Sequence, residues 1–260
     1  MQYRTYRAYI NGLEEKIVGE AHMLIAGASG SGKSVLIRRV LRACCTFGYD
    51  MVLIDPKDVE LRPWRNCVNC LGYADSTMPG SMENLLRWVC DEMDRRYALM
   101  ANDEWCVMWK GPHMWVVVDE YADLLLSSRN KNDIKRLCMR IAQKGRAAGI
   151  HLLLATQRPT RDIVDGGIKV NMCARIALHC PTAQDSRNII NYNGAESLPY
   201  VGQCYYLEES GEVNRYIVPM MTTEEAKACV DFMASQNPRL QTTWKQRRAL
   251  KKMRKAWGLR

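Results

Sequence analysis

His22-Met23-Leu24-Ile25-Ala26-Gly27-Ala28-Ser29-Gly30-Ser31-Gly32-Lys33-Ser34-Val35 joins an apolar run, a glycine-rich turn and the start of an amphipathic segment. The apolar run predicts a buried strand over His22 to Ala26, and the periodicity beyond it predicts a helix from Lys33 to about Phe47. Gly27 to Ser34 fits the spacing GxxxxGK[ST], in the strand-loop-helix context that gives that pattern its weight. Glycines let the backbone turn tightly so that amide groups point inward at phosphate oxygens. The helix start adds donors and a favourable dipole. The stretch Gly27, Ala28, Ser29, Gly30, Ser31, Gly32, Lys33, Ser34 and Val35 is therefore expected to hold ATP. Lys33 would meet the β- and γ-phosphates, and Ser34 would supply an oxygen to Mg2+.

Further along, Trp115-Val116-Val117-Val118 reads as a core strand ending in Asp119-Glu120. Asp119 is expected to hold the magnesium hydration shell and Glu120 to polarise an attacking water. His151 to Ala155 is another buried run; it leads into Thr156-Gln157-Arg158-Pro159, from which Gln157 is chosen as the residue that senses the γ-phosphate or orients water. Met51 to Ile54 and Ala174 to His179 complete the apolar strands, with helical patterns at Ser81 to about Met100, at Asn132 to Ala148, and through Phe232 in a helix that Thr222 or Thr223 would cap, with Glu225 early in it. Strands buried on both faces and separated by helices predict an α/β fold with a mostly parallel central sheet flanked by helices. Gln203 to Leu207 and Val213 to Val218, on either side of a turn signal, predict a hairpin at the sheet margin.

The bulk numbers set bounds. A chain of 260 residues, 47% hydrophobic, can bury one sizeable core. No signal-peptide pattern opens it, and no apolar run is long enough to span a membrane, so a cytoplasmic location is expected. The 11 cysteines are scattered; they read as mostly reduced, buried small hydrophobes. Cys67 and Cys70 have metal-ligand spacing, but no second such pair follows and no histidine is near, so a structural role is favoured. Net charge is +9, and eight basic residues without an acid lie between Lys245 and Arg260, leaving about +1 for the rest. The organisation expected is a lead-in over 1–21, an ATPase domain over 22–238 and a basic tail over 239–260, with Leu250, Met253 and Trp257 along one side of a helix.

Across about His22 to Leu207 the chain resembles the motor domain of the FtsK/SpoIIIE family, and the match is an ordered set of motifs. Besides the phosphate loop they include Leu53-Ile54-Asp55-Pro56-Lys57, Glu92-Met93-Asp94-Arg95-Arg96-Tyr97 and Val118-Asp119-Glu120-Tyr121-Ala122-Asp123-Leu124. Gln143-Lys144-Gly145-Arg146-Ala147-Ala148-Gly149, Ala155-Thr156-Gln157-Arg158-Pro159, Asp185-Ser186-Arg187 and Gly194-Ala195-Glu196-Ser197-Leu198 continue the series. The resemblance implies a RecA-like P-loop fold, ATP hydrolysis with Mg2+, double-stranded DNA as the partner, and a homohexameric ring with ATP sites between subunits. It implies that Arg146 is presented in trans to a neighbour's γ-phosphate. It also implies that the DNA-facing segment falls near Thr160 to Asn171, where Arg161 and Lys169 would meet phosphates and Gly166-Gly167 would give the loop freedom.

Thr182-Ala183-Gln184-Asp185 departs from the family, which often carries a lysine in that stretch, and Cys173-Ala174 stands where proline and threonine are common. The sequence has neither the membrane segment nor the winged-helix domain of larger members, so it reads as a minimal or excised motor, with a membrane or transfer-machinery protein as a further possible partner. An ATPase that energises protein secretion, or a nucleotide-controlled assembly factor without sustained translocation, stay open as alternatives.

Overall fold

The computed structural model describes residues 13, 16–164, 166–199 and 201–236. In chain order the strands are β1 (His22–Ala26), β2 (Asp50–Ile54), β3 (Cys70–Ala74), β4 (Met114–Val118), β5 (Ile150–Thr156), β6 (Ala174–Leu178), β7 (Gln203–Leu207) and β8 (Val213–Ile217). The α-helices are α1 (Lys33–Phe47), α2 (Ser81–Met100), α3 (Tyr121–Ser127), α4 (Lys131–Lys144), α5 (Gly166–Asn171), α6 (Ala183–Ile190) and α7 (Thr223–Gln236). One sheet holds all the strands in the order β3-β2-β4-β5-β1-β6-β7-β8. Pairing is parallel from β3 to β6 and antiparallel from β6 through β8.

The apolar strands are buried on both faces because helices cover both. Leu24, Val116, Val118 and Leu152 face one layer with Leu85, Leu86, Val89, Ile134, Leu137 and Ile141 from α2 and α4. Their alternates Met23, Ile25, Trp115, Val117 and Leu153 face the other layer, against Leu36, Ile37, Val40 and Leu41 of α1 and Ala226 and Val230 of α7. Each such side chain contributes about 1.5–3 kcal/mol by leaving water. Leu13, Ile17 and Val18 belong to the second layer, so packing extends upstream of residue 22. Helix α7 begins with a reciprocal cap: the Thr222 hydroxyl accepts from the Glu225 N–H, and the Glu225 carboxylate accepts from the Thr222 N–H. Residues 239–260, where the basic tail and its apolar stripe were expected, lie outside the described residues.

One strand was not expected, and one expected helix needs correction. Strand β3 carries no clear strand signal in the sequence, since Gly72 interrupts it. A Cβ there would lie 2.6 Å from Leu85 Cδ1, so β3 approaches α2 closely enough that a larger residue would have to displace the Leu85 side chain. Helix α4 stops at Lys144 and does not continue to Ala148. Gly145 is wedged where a Cβ would meet the carbonyls of Ile150 and Ile141, and Gly149 turns with φ of 64°. The result is a tight turn, closed by Ile150 N–H to Gly145 O at 2.9 Å, that carries Arg146.

The amino ends of the central strands are closed by histidines. His151 stacks between His113 and Trp115, with ring centroids 5.1 and 5.0 Å away. Its Nδ1 faces the carbonyls of Glu20 and Ala21 at 2.9 and 3.0 Å. Carbonyls only accept, so Nδ1 carries the proton and the bare Nε2 accepts from His113 Nδ1 at 2.9 Å. His22 Nδ1 accepts from the Leu152 N–H. Burial depresses both imidazoles, His22 to about 3 and His151 to about 4, with neighbouring positive or titrating groups adding to it.

An unfolded histidine near its ordinary 6.5 protonates while these two stay neutral, so their stabilisation is complete above pH 6.5 and is lost as pH falls toward 4 and 3. Urea melts at pH 7.5 and 5.0 should show a loss on the order of 1–2 kcal/mol for each buried imidazole. In His151→Asn the pH slope should flatten, whatever the variant's stability at pH 7.5; an unchanged slope would show that His151 is not one of the groups responsible.

Candidate nucleotide-binding site

Parallel register brings the chemistry together at the carboxyl ends of β1, β4 and β5. Ala26 pairs with Thr156, and Val118 pairs with Leu154. The residues that follow, Gly27 on one side and Asp119 and Glu120 on the other, therefore flank the end of β5. Gly27 donates to the Thr156 carbonyl at 3.3 Å and Ala28 to the His179 carbonyl at 2.8 Å, which pins the loop's first turn. Gly30 and Gly32 have φ of 77° and 104°, values that L side chains rarely adopt. The loop is also backed from behind, where Gly202 N–H donates to Ser31 O at 2.9 Å. Gly32 precedes α1 at the N-cap with no side-chain cap, so the helix start presents its amides to the loop. Ser34 and Val35 follow in its first turn, both half-buried.

Lys33 is buried and donates to Glu120 Oε2 at 3.2 Å and to the Asp119 carbonyl at 3.4 Å. The Glu120 carboxylate is held on its other side by the Thr156 hydroxyl, which donates at 2.7 Å, and by the Gln157 backbone N–H at 3.1 and 3.0 Å. Asp119 is buried too, and desolvation pushes its carboxyl up to about 6 against the opposing pull of Lys33. Asp119 Oδ1 and the Ser31 hydroxyl have no hydrogen-bond partner among the described residues. Buried polar atoms left so need an explanation. An incoming triphosphate with its divalent cation supplies one, because a cation beside Asp119 would also offset the cost of ionising it. The residues present therefore fit ATP and Mg2+.

Two further features shape the site's surroundings. Asp55, fully buried, accepts from the backbone N–H groups of Lys57, Val59 and Leu61, which folds the chain after β2 into a fixed loop. That loop places Lys57 in an ion pair with Asp123 at 3.0 Å, just past Glu120. The aspartate and lysine of the Asp55-Pro56-Lys57 stretch thus brace the site from the β2 side.

Arg146 lies at the amino end of β5, the opposite end of the sheet from Gly27, so a strand's length separates it from its own phosphate loop. It is 67% exposed and pairs with Glu209 at 3.5 Å. Helix α2 fixes the turn beneath it: Arg96, buried beside Glu92, donates to the carbonyls of Ala148 and Gly149, and Tyr97 donates to the Lys144 carbonyl at 2.7 Å. The Glu92–Tyr97 motif thus serves to hold the Arg146 turn.

The segment after β5 differs from expectation. Gly166 and Gly167 open the short helix α5 and do not form a free loop. Arg161 is exposed, whereas Lys169 is half-buried and donates to the Arg187 carbonyl at 3.4 Å. Burial, with Arg175 and Arg161 nearby, lowers its ammonium below the ordinary range. Sequence reading also passed over Thr156 in favour of its neighbour Gln157. The only available signal was that Thr156 ends an apolar run beside two candidate site strands. The Gln157 side chain is half-buried, and its backbone is what touches Glu120.

Among the described residues no helix is long and apolar enough to cross a membrane. Comparison with known proteins gives a consistent picture. The chain is 39% identical over 236 residues to the DNA translocase SftA of Bacillus subtilis, covering 84% of this chain and 24% of that protein. It is 37% identical over 209 residues to the DNA translocase FtsK of Borreliella burgdorferi, covering 74% of this chain and 26% of that one. It thus spans about a quarter of the length of these relatives. Among solved structures, the monomer form of the pCW3 conjugation coupling protein TcpA superposes with a TM-score of 0.70 at 22% identity, over 82% of this chain and 64% of that one. The cytoplasmic domain of the Type VII secretion ATPase EccC of Thermomonospora curvata gives 0.70 at 23% identity, over 84% and 28%; both likenesses concern the fold. The sequence profile of the FtsK/SpoIIIE family matches residues 11–108 and 105–161, more than half of the chain, and the protein belongs to that family.

Proposed function

We propose that this chain is the ATP-hydrolysing motor of a double-stranded DNA translocase, working as a ring of six subunits. The observation that carries the reading is the convergence of Lys33, Asp119 and Glu120 beside the phosphate loop, in a chain 37–39% identical to two DNA translocases. In this reading the amides of Gly27 to Lys33 bind the phosphates, and Ser34 and Asp119 hold Mg2+, Asp119 through its water shell. When bound, the ion neutralises charge that builds up on the phosphoryl oxygens. Glu120 polarises the attacking water, with Gln157 helping to place it.

Arg146 faces away from its own loop and acts on a neighbour's γ-phosphate. Its exposure, and the rigid turn that presents it, support that role. Arg161 meets the DNA backbone. Lys169, already tied to a carbonyl, would have to exchange that bond for a phosphate. The 22–238 boundaries for the motor, a cytoplasmic location and a membrane or transfer-machinery partner are part of the same proposal.

Long linear double-stranded DNA should raise ATP turnover severalfold, and the stimulation should survive moderate salt. A flat response in protein shown to bind ATP and assemble would favour an ATPase driven by a protein partner. Lys33→Ala should abolish nucleotide binding in a fluorescent-analogue titration. Glu120→Gln should bind normally yet lose about 100-fold or more of its turnover, the range of a lost general base. Arg146→Ala should lose still more, on the order of 1000-fold or greater. Mixing it with Lys33→Ala should restore part of the turnover, because the second subunit lends its arginine to the first subunit's intact loop. Mixtures no more active than their parts would exclude action in trans.

A further inference from the structure

Glu120 is held from three directions, and only one of its partners reaches beyond the site. Lys33 belongs to the phosphate loop, and phosphate oxygens compete with Glu120 for its ammonium. The Gln157 N–H is a main-chain donor fixed by the end of β5. The Thr156 hydroxyl is different. It donates to Glu120 Oε1 at 2.7 Å and simultaneously accepts from the Arg158 N–H at 3.0 Å. Thr156 is fully buried, so neither bond is exchanged for water at low cost.

Arg158 opens the segment 158–164. Its next turn is closed by the Ile163 and Val164 N–H groups on the Thr160 carbonyl, at 3.1 and 2.9 Å. Lys135 braces the same turn by donating to the Asp162 carbonyl at 2.6 Å. The exposed Arg161 sits on that turn, and α5 follows, anchored in the core by Ile168. A displacement of 158–164 therefore acts on the Arg158 N–H, then on the Thr156 hydroxyl, then on the carboxylate that would activate water.

We infer that Thr156 is a positioning residue that restrains Glu120 and couples its release to ligand contact on the 158–164 segment. The inference rests on the assignment of Glu120 as the water-polarising carboxylate and of the segment carrying Arg161 as the DNA contact. With the segment at rest, Glu120 has its lone pairs engaged by Thr156, Gln157 and Lys33 and is a poor acceptor for a water proton. Triphosphate binding draws on Lys33, and DNA contact loosens the Thr156 bond, so both inputs are needed before the carboxylate is available. No covalent step is involved, since the coupling is an exchange of hydrogen-bond partners.

The test compares Thr156→Val, which keeps the shape and removes the hydroxyl, with Thr156→Ser, which keeps the hydroxyl. Full-length protein is assayed for ATP turnover with and without long double-stranded DNA, and Glu120→Gln is the background control. Thr156→Val should raise DNA-independent turnover roughly fivefold, the equivalent of one released hydrogen bond, and should reduce the ratio of stimulated to basal turnover by a like factor. Thr156→Ser should stay within about twofold of the parent on both measures. If the valine variant does not fold, Thr156→Ala, which also removes the hydroxyl without adding a methyl, takes its place.

An unchanged basal rate and ratio, or a parallel fall of both rates at constant ratio, overturns the inference. The basal rate decides on the restraint itself even where DNA fails to stimulate the parent protein, an outcome that would instead count against the DNA-motor reading.

Discussion

The alignment of β4, β5 and β1 is the constraint on which the site depends. Ala26 lies beside Thr156 and Val118 beside Leu154, so β4 ends two residues earlier and Glu120, two residues beyond Val118, comes level with Thr156 and Ala26. A slip of one residue in β4 would turn each of Asp119 and Glu120 to the face opposite its present one and bury the wrong set of valines. The register is therefore fixed by packing as well as by hydrogen bonds: Val116 and Val118 fill the α2 and α4 layer, while Trp115 and Val117 fill the α1 layer. Burial of this core supplies the free energy that places a lysine and two carboxylates in a site from which water is largely excluded. Such a site strengthens electrostatic interactions and makes unpaired polar atoms costly.

The two ends of the sheet carry different work. At the carboxyl ends are the phosphate loop, Asp119, Glu120 and Thr156. At the amino ends, histidines and the Arg96 clamp build a stiff base from which Arg146 projects. The family motif at Glu92 to Tyr97 has no residue in the nucleotide site, and its physical role is to close the turn that bears Arg146. Asp55 does comparable work on the β2 side, using three backbone amides to set the loop that carries Lys57. Residues far from the reacting atoms thus determine where charged side chains can be offered.

The sequence was most readable where short-range patterns coincide with chemistry. The apolar run before Gly27, the glycine spacing, the helix after Lys33 and the acids after Val118 are local signals, and the structure realises them. The margin hairpin and the Thr222 cap were legible for the same reason. Strand β3 was not, because Gly72 packs against Leu85, a contact with a residue in a different element. The Thr156 bond to Glu120 spans 36 positions and exists only through sheet register, so no periodicity announces it. Gly166 and Gly167 suggested freedom by composition, but the packing of Ile168 and the interactions of Lys169 draw them into a helix.

The central claim is that Lys33 and Glu120 belong to one ATP site that a neighbouring subunit completes. The most direct measurement is a cryo-EM structure of the Glu120→Gln protein with ATP, Mg2+ and linear double-stranded DNA. The account expects phosphates within the Gly27–Ser34 loop, Lys33 turned onto them and away from position 120, and Arg146 of the adjoining subunit at the γ-phosphate. Nucleotide bound elsewhere, or a ring in which Arg146 remains on Glu209 far from every phosphate, would contradict it.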